Sequence, residues 1–223
     1  VLAMLPLGKA LPCARALATA YTAAFANVGK RTLPTLSAAV VFAHLKFPLR
    51  AVLHEAHRLL DDVAKEANGR DSLAASVLKG GGVNCQWVTT WKRRAAVATS
   101  PTASDAVRVI SDFAERLRSN ATEPGFSSSL LYRVRELLTL LSGSSAWEAG
   151  DWGILPTALD LAAFLRAEVS QSLSKRDGDG DVARAKRLAD EVLCLLAPSR
   201  ATPNAAAIGV AEFLRGAFKQ CAT

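Results

Sequence analysis

The stretch AHLKFPLR at residues 43–50 joins a predicted strand to a predicted helix, which the residues on either side of it indicate. Small and β-branched residues over 36–45 predict a central strand, and Pro48 suits the first turn of a helix. Apolar residues at helical spacing continue to about residue 67, where Asn68-Gly69 is a strong turn signal. The helix carries Lys65 on the flank of its apolar face, so it places a cation beside the edge of a sheet. A nucleotide triphosphate fits such a position, and a merely solvated surface lysine is the alternative.

The rest of the first half predicts three further strands and one helix. Residues 1–7 are expected to form a buried strand, and residues 10–26 have apolar side chains at helical spacing. Two apolar runs, 72–78 and 83–88, flank Gly80-Gly81-Gly82 and predict a hairpin. The predicted order is therefore β-α-β-α-β-β.

The second half changes to a helical period throughout. Small and polar residues over 95–104 indicate a boundary, which divides the chain into domains 1–97 and 98–223. Five helices are predicted, at about 104–119, 128–142, 156–174, 181–197 and 204–220. The fold class is α+β, with an all-α helical bundle following the sheet.

Charge is distributed unevenly along the 223 residues. Residues 1–100 hold 13 basic and 5 acidic side chains, whereas residues 101–223 hold 14 basic and 15 acidic ones. A basic half joined to a neutral half suggests that an anion, either a nucleotide or RNA, meets the first half. A small basic domain without such a partner is the alternative.

Cysteine usage and hydropathy restrict the class of protein. The four cysteines, at 13, 85, 194 and 221, form no Cys-x-x-Cys pair, so neither a zinc site nor a disulfide framework is predicted. Four loose thiols suit a reducing cytoplasm. No apolar run reaches the roughly 18 residues that a membrane span needs.

The tryptophans with the basic triplet after them, and the adjacent aspartates, can each be interpreted as functional or as structural residues. Trp87 and Trp91 precede the basic triplet Lys92-Arg93-Arg94, a combination that can stack bases and hold phosphates. We favour the tryptophans as a hydrophobic anchor between the two halves and leave the triplet as a possible RNA or phosphate contact. Asp61 and Asp62 point about 100° apart on a helix, so they are expected to be solvated or to pair with Arg58 and Lys65.

Histidines do not indicate a metal site. His54 and His57 are three residues apart on a predicted helix and can share a face. A divalent site usually needs three or four converging ligands, which this pair does not supply.

The segment from Ser37 to Gly82 resembles the polymerase–cyclase palm in the large subunit of type III CRISPR–Cas effectors, specifically the Cmr (III-B) branch. In that family a strand ending in histidine and a Lys-x-Pro-Leu turn lead into a helix with an Ala-Lys pair, followed by an Arg-Asp strand. The opening VLAMLPLGKAL also resembles the segment directly after the family's Gly-Gly-Asp-Asp hairpin. The resemblance implies a ferredoxin-like palm remnant followed by a helical C-terminal domain.

The resemblance implies an activity for the full-length protein. Such a subunit joins ATP molecules into cyclic oligoadenylates when target RNA binds, as part of antiviral defence. Mg²⁺ or Mn²⁺ held by the paired aspartates activates a ribose hydroxyl and neutralises the triphosphate. Lys65 matches the lysine that steadies the phosphates, and Ser37 lies in the segment that lines the nucleotide pocket. The implied partners are guide RNA, target RNA and the small helical subunits of the effector.

Departures from the family pattern leave alternatives open. No residue of this chain is expected to be catalytic, because Gly-Gly-Asp-Asp is absent from it and its metal ligands are expected upstream of Val1. Ala39 stands where a glycine is expected. A GGDEF-type nucleotidyl cyclase fragment and a non-catalytic scaffold that docks on small helical subunits are the alternatives.

Overall fold

The computed structural model describes residues 1–25, 34–91, 105–117, 128–142, 160–177, 182–196 and 206–220. Within these ranges the first half contains helix α1 (Leu7–Ala24), strand β1 (Ala38–Phe42), helix α2 (Leu49–Arg58), a π-helix (Leu59–Ala67) and strands β2 (Ser72–Lys79) and β3 (Gly82–Thr90). The second half contains the helices α3 (Ala106–Arg116), α4 (Ser128–Ser142), α5 (Leu161–Asp177), α6 (Val182–Leu196) and α7 (Ala206–Gln220). The α+β class is confirmed.

The three strands form one mixed sheet in the order β1-β2-β3. β1 pairs with β2 in parallel, with Ala38 opposite Leu73, and β2 pairs with β3 in antiparallel fashion, with Ser72 opposite Thr90. The turn between β2 and β3 lies at the glycines, where Gly82 has a φ of 118° that an L side chain rarely adopts. The predicted hairpin is therefore confirmed.

The predicted strand over Val1–Leu7 is wrong. Residues 1–6 have no regular structure, and α1 begins at Leu7 rather than at residue 10. Val1, Leu2 and Met4 are exposed. A strand gains its stability from a neighbour that satisfies its backbone groups, and within the described residues no strand lies beside this segment.

The continuous helix predicted over 49–67 is an α-helix up to Arg58 and a π-helix from Leu59. The α-helix ends there, and the π-helix continues to Ala67 with wider bonds such as Asn68 N–H to the Val63 carbonyl, at 3.0 Å. The wider turn brings Leu59, Val63 and Ala64 onto the side that faces the sheet, where all three are buried. π-helical segments frequently occur at functional sites.

The sheet is covered on both faces. The side chains on one face of the sheet pack against the π-helix; they include Ala39, Val41, Ala74 and Val88. The side chains on the opposite face belong to a core shared with α1, α3 and α7; they include Phe42, Leu73, Val77 and Trp87. β2 is buried along its length up to Leu78, as expected for a strand covered on both sides. The helical half therefore packs directly on the sheet as well as on itself.

The helices of the second half agree closely with the prediction. The predicted helix 128–142 has the observed bounds, and the others differ by a few residues at their ends. Asp105 caps α3 by accepting from the Arg108 N–H at 3.1 Å, and Asp160 caps α5 by accepting from the Ala163 N–H at 3.0 Å. The predicted domain boundary at 97/98 lies outside the described residues. None of the described helices has the length and hydropathy needed to cross a bilayer.

Candidate functional site

The two predicted nucleotide-binding residues are Ser37 and Lys65; Ser37 and the end of the helix that carries Lys65 lie at the same end of the sheet. β1 and β2 are parallel and begin at this end, and the antiparallel β3 finishes there. Ser37 precedes β1, the turn 68–71 precedes β2, and Trp91 follows β3. The π-helix also ends here, because Ala67 leads directly into the turn. The ends of three strands and the end of one helix thus lie at the same end of the sheet.

Ser37 directly precedes β1, just outside the strand ladder, and is partly buried. Successive side chains of a strand point to opposite faces, and Ala39 and Val41 of β1 both pack against the π-helix. Ala39, which stands in the position where a glycine was expected, fits its methyl group against the helix.

Lys65 lies at the rim of the same face. Its neighbour Ala64 is fully buried against the sheet, whereas the Lys65 side chain is 41% exposed. The Lys65 ammonium donates to Asp61 Oδ1 at 2.6 Å, and this bond holds the pKa of the Asp61 carboxyl below its usual value. The expected Lys65–Asp61 pairing is therefore confirmed. Arg58 instead donates to both carboxylate oxygens of Glu55, each at 2.8 Å.

The turn before β2 adds a second cation that the sequence did not single out as a site residue. Gly69, Arg70 and Asp71 have φ values of 75°, 69° and 50°, so three consecutive residues are left-handed. Non-glycine residues adopt this region at a cost of about 1–2 kcal/mol each. Strained backbone of this kind occurs preferentially at functional sites. The Asn68-Gly69 signal predicts a turn but not the left-handed residues that follow it.

Hydrogen bonds hold the turn in this conformation. Asn68 Nδ2 donates to Ser72 Oγ at 2.8 Å, and Ser72 Oγ donates to the Arg70 carbonyl at 2.5 Å. The Arg70 N–H donates to the Ala64 carbonyl at 3.1 Å, which joins the turn to the π-helix beside Lys65. The Arg70 residue is exposed, and within the described part of the chain its guanidinium has no acidic partner at ion-pair distance.

The two tryptophans have different environments. Trp87 is 3% exposed and belongs to the core shared with the helices, as the anchor interpretation expects. Trp91 is partly buried at the site end of the sheet and packs against that same core. The basic triplet Lys92-Arg93-Arg94 lies outside the described residues.

A complete metal site is not formed by the residues the structure describes. Across them, no group of three or more His, Cys, Asp or Glu side chains is arranged to hold an ion. His54 and His57 are both exposed on α2. At this end of the sheet Lys65, Arg70 and Ser37 are hydrogen-bond donors of the kind that bind phosphate. The carboxylate of Asp61 pairs with Lys65, and Asp71 directly follows Arg70 in the chain.

The mixed sheet has the π-helix that carries Lys65 packed on one face, and β1 and this helix lie within the part of the chain that matches known proteins. Residues 1–74 match the family model described as Cas10/Cmr2, second palm domain. The chain is also 38% identical over 82 residues to the CRISPR system Cmr subunit Cmr2 of Pyrococcus furiosus. The resemblance is therefore confirmed over the first third of the chain, where residues 1–74 are similar to the second palm domain of Cas10/Cmr2 large subunits.

The match covers only part of each protein. The aligned residues are 37% of this chain and 9% of the length of the Pyrococcus subunit. The chain thus spans about a tenth of the length of the curated relative that it matches. The helices from α3 onward lie beyond the matched palm.

Proposed function

We propose that this chain forms the triphosphate-binding half of a palm that, in the full-length protein, converts ATP into cyclic oligoadenylates after target RNA binds. The observation that carries the proposal is the position of Lys65 on a helix that ends, within the matched palm, at the same end of the sheet where Ser37 enters β1. Arg70 supports it, because its turn is bonded to the π-helix at Ala64.

The charge of the site suits a triphosphate. Lys65 supplies a compact ammonium that can leave Asp61 for a phosphate, since the ion pair lies in water and is weakly held. Arg70 supplies a planar guanidinium that can donate two bonds to one phosphate. Ser37 adds a hydroxyl that donates to a phosphate or ribose oxygen.

The proposed reaction is nucleotidyl transfer. A ribose hydroxyl oxygen of one ATP attacks the α-phosphorus of another, the bond to the β-phosphate oxygen breaks, and pyrophosphate leaves while the hydroxyl proton passes to solvent. Mg²⁺ or Mn²⁺, the proposed cofactor, would neutralise the charge of the triphosphate when bound. The residues of this chain bind and orient the triphosphate.

The surroundings of the site fit an RNA-guided effector. The first half of the chain carries the excess positive charge, and Lys92-Arg93-Arg94 directly follow Trp91 in the sequence. We assign this triplet to RNA or phosphate contact and the protein to the cytoplasm. The proposed partners are guide RNA, target RNA and the other subunits of the effector.

Substitution of Lys65 in the assembled effector tests the proposal. With Mg²⁺, ATP and target RNA, Lys65→Ala is expected to lower kcat/KM for ATP by roughly 10–100-fold, since a charge-assisted phosphate contact is worth about 1.5–3 kcal/mol. Lys46→Ala is the control, because Lys46 is an exposed lysine beyond the other end of β1. An unchanged kcat/KM in Lys65→Ala contradicts the role of Lys65. Turnover of GTP in place of ATP favours the GGDEF-type alternative.

A second candidate function is docking of the helical half on small helical subunits. Tyr132 and Leu140 lie two turns apart on α4 and are 55% and 71% exposed. Large apolar side chains on one exposed helix face fit a helical partner, and the near-neutral second half suits protein contact. Loss of the small subunits when both side chains are made acidic tests this candidate, which is compatible with the first.

A further inference from the structure

Trp91 connects two loops that the strand ladders leave separate. Its indole Nε1–H donates to the Leu36 carbonyl at 2.6 Å, and its backbone N–H donates to the Asp71 carbonyl at 3.2 Å. β1 and β3 are not neighbours in the sheet, because β2 lies between them. The Trp91 side chain therefore crosses the end of β2 to reach the segment that enters β1.

Both acceptors are adjacent to proposed nucleotide-binding residues. Leu36 directly precedes Ser37, and Asp71 is the last residue of the left-handed turn that contains Arg70. The two loops lie outside the ladder, which begins at Ala38 and at Ser72. Their relative position is thus set by contacts other than strand pairing, and Trp91 makes one to each loop.

The indole approaches from the side opposite the proposed site. Trp91 packs against the core that α1, α3 and α7 share with the sheet, whereas the π-helix that carries Lys65 packs on the other face. The side chain therefore holds the loops without occupying the space where a nucleotide would bind.

We infer that Trp91 is a positioning residue for the nucleotide site, which holds the Ser37 segment and the Arg70 turn at a fixed separation. This inference rests on the proposed triphosphate-binding function. A hydroxyl and a guanidinium that contact the same triphosphate must be held at a set distance, because a displaced donor loses its charge-assisted hydrogen bond to the phosphate. The indole bond to Leu36 meets this need, because nothing in the strand ladder fixes that carbonyl.

The substitution Trp91→Phe removes the indole N–H and keeps an aromatic ring against the core. In the full-length protein, assembled with its effector subunits, guide RNA and target RNA, we expect the KM for ATP to rise about 5–20-fold. We expect kcat at saturating ATP to change less than threefold, because the triphosphate contacts are already made in the ground state. Amide hydrogen exchange over residues 34–38 should become faster.

Trp87→Phe is the matched control. Trp87 lies on the same strand and packs in the same core, but it contacts neither loop through a hydrogen bond in the structure. The control should lower the unfolding temperature and leave the KM for ATP within twofold of the unsubstituted protein. A purely structural role for Trp91 predicts the same result for both variants.

Lys65→Ala, measured in the same assay, separates the two proposals. If Lys65→Ala raises the KM for ATP and Trp91→Phe does not, the positioning role is overturned and the nucleotide site stands. If Lys65→Ala leaves the KM unchanged, the nucleotide site and the role of Trp91 both fall. If Trp91→Phe fails to assemble, Trp91→Leu, which also removes the indole N–H and keeps an apolar side chain against the core, is measured instead. An unchanged KM for ATP in that variant overturns the positioning role.

Discussion

Lys65 shows how a residue at the rim of a buried helix stays available for a ligand. Its neighbour Ala64 is buried against the sheet, so the backbone at this point is fixed while the ammonium reaches solvent. In the structure that ammonium is held by Asp61, four residues earlier. A phosphate group that binds Lys65 must therefore compete with the Asp61 carboxylate.

Removing the charge of Asp61 should strengthen nucleotide binding. Asp61→Asn frees Lys65 and removes a negative charge close to the proposed triphosphate site. We expect the KM for ATP to fall about two- to threefold at low salt and the effect to shrink above about 0.3 M salt, because exposed charges are screened. Steady-state kinetics of the assembled effector at both salt concentrations measure this change.

Glu66→Gln is the control for Asp61→Asn. Glu66 is exposed on the same helix, and its carboxylate makes no ion pair with Lys65 in the structure. Glu66→Gln removes one negative charge, as Asp61→Asn does, and should leave the KM for ATP near its original value. A higher KM in Asp61→Asn would mean that Asp61 orients Lys65 for the phosphate rather than competing with it.

At the level of elements, α7 is the helix that packs most closely on β3. Phe213 of α7 packs against Phe42 at the end of β1, with ring centroids 5.4 Å apart. Gly209 faces Cys85 of β3 so closely that an added Cβ would lie 3.1 Å from the Cys85 Cβ and 3.4 Å from its sulfur. Burial at this contact raises the pKa of the Cys85 thiol to about 11, so the sulfur stays protonated and packs as a small apolar group.

A larger side chain at Gly209 should loosen α7 from the sheet. Gly209→Val places three carbons where a single Cβ is already tight, and overpacking of this kind costs about 1–3 kcal/mol. Amide hydrogen exchange of α7 in the full-length protein should become roughly 5–150-fold faster, provided that exchange occurs through local opening.

Gly216→Ala is the matched control on the same helix. Nothing lies within 4 Å of a Cβ added there, so the substitution should slow exchange because alanine stabilises a helix by about 1 kcal/mol relative to glycine. Equal effects of both substitutions would contradict the close packing of α7 on β3.

At the level of the whole molecule, the palm and the helical half are joined by one continuous core. Leu11 of α1, Trp87 of β3, Ile110 of α3 and Leu214 of α7 all belong to it. Arg15 of α1 also pairs with Asp105, the residue that caps α3, at 2.5 Å. The helices of the second half are therefore packed into the same core as the sheet that carries the proposed nucleotide site.

Acidic residues on the exposed face of α4 should weaken assembly with the small subunits. The double substitution Tyr132→Glu and Leu140→Glu places charges where an apolar contact is proposed, so retention of small subunits on the purified large subunit should fall at least tenfold. Quantitative pull-down with the full-length protein measures the retention.

Val182→Glu is the control for docking. Val182 is 77% exposed at the start of α6. Its substitution also replaces an exposed apolar side chain with glutamate, but on another helix. Its small-subunit retention should be unchanged. If the α4 variant retains the small subunits as well as this control does, docking through α4 is wrong.

Local signals in the sequence were sufficient for much of this description. The hairpin at the glycines, β1 after residue 36, the helix that carries Lys65 and the bounds of α4 were all predicted. In each case the residues concerned are close together in the chain: periodic apolar side chains, a proline at a first turn, or glycines that allow a positive φ. Pairing of Lys65 with Asp61 is local for the same reason, since four residues make one helical turn.

Contacts between distant residues were decided by the tertiary structure. Whether residues 1–6 form a strand depends on a neighbouring strand, which their own apolar pattern cannot specify. The left-handed Arg70 and Asp71 depend on hydrogen bonds from Ser72 and on the end of the π-helix, and the bond from Trp91 to Leu36 spans 55 residues. Periodicity determines which face of an element is apolar, whereas the packing of the whole chain determines what that face meets.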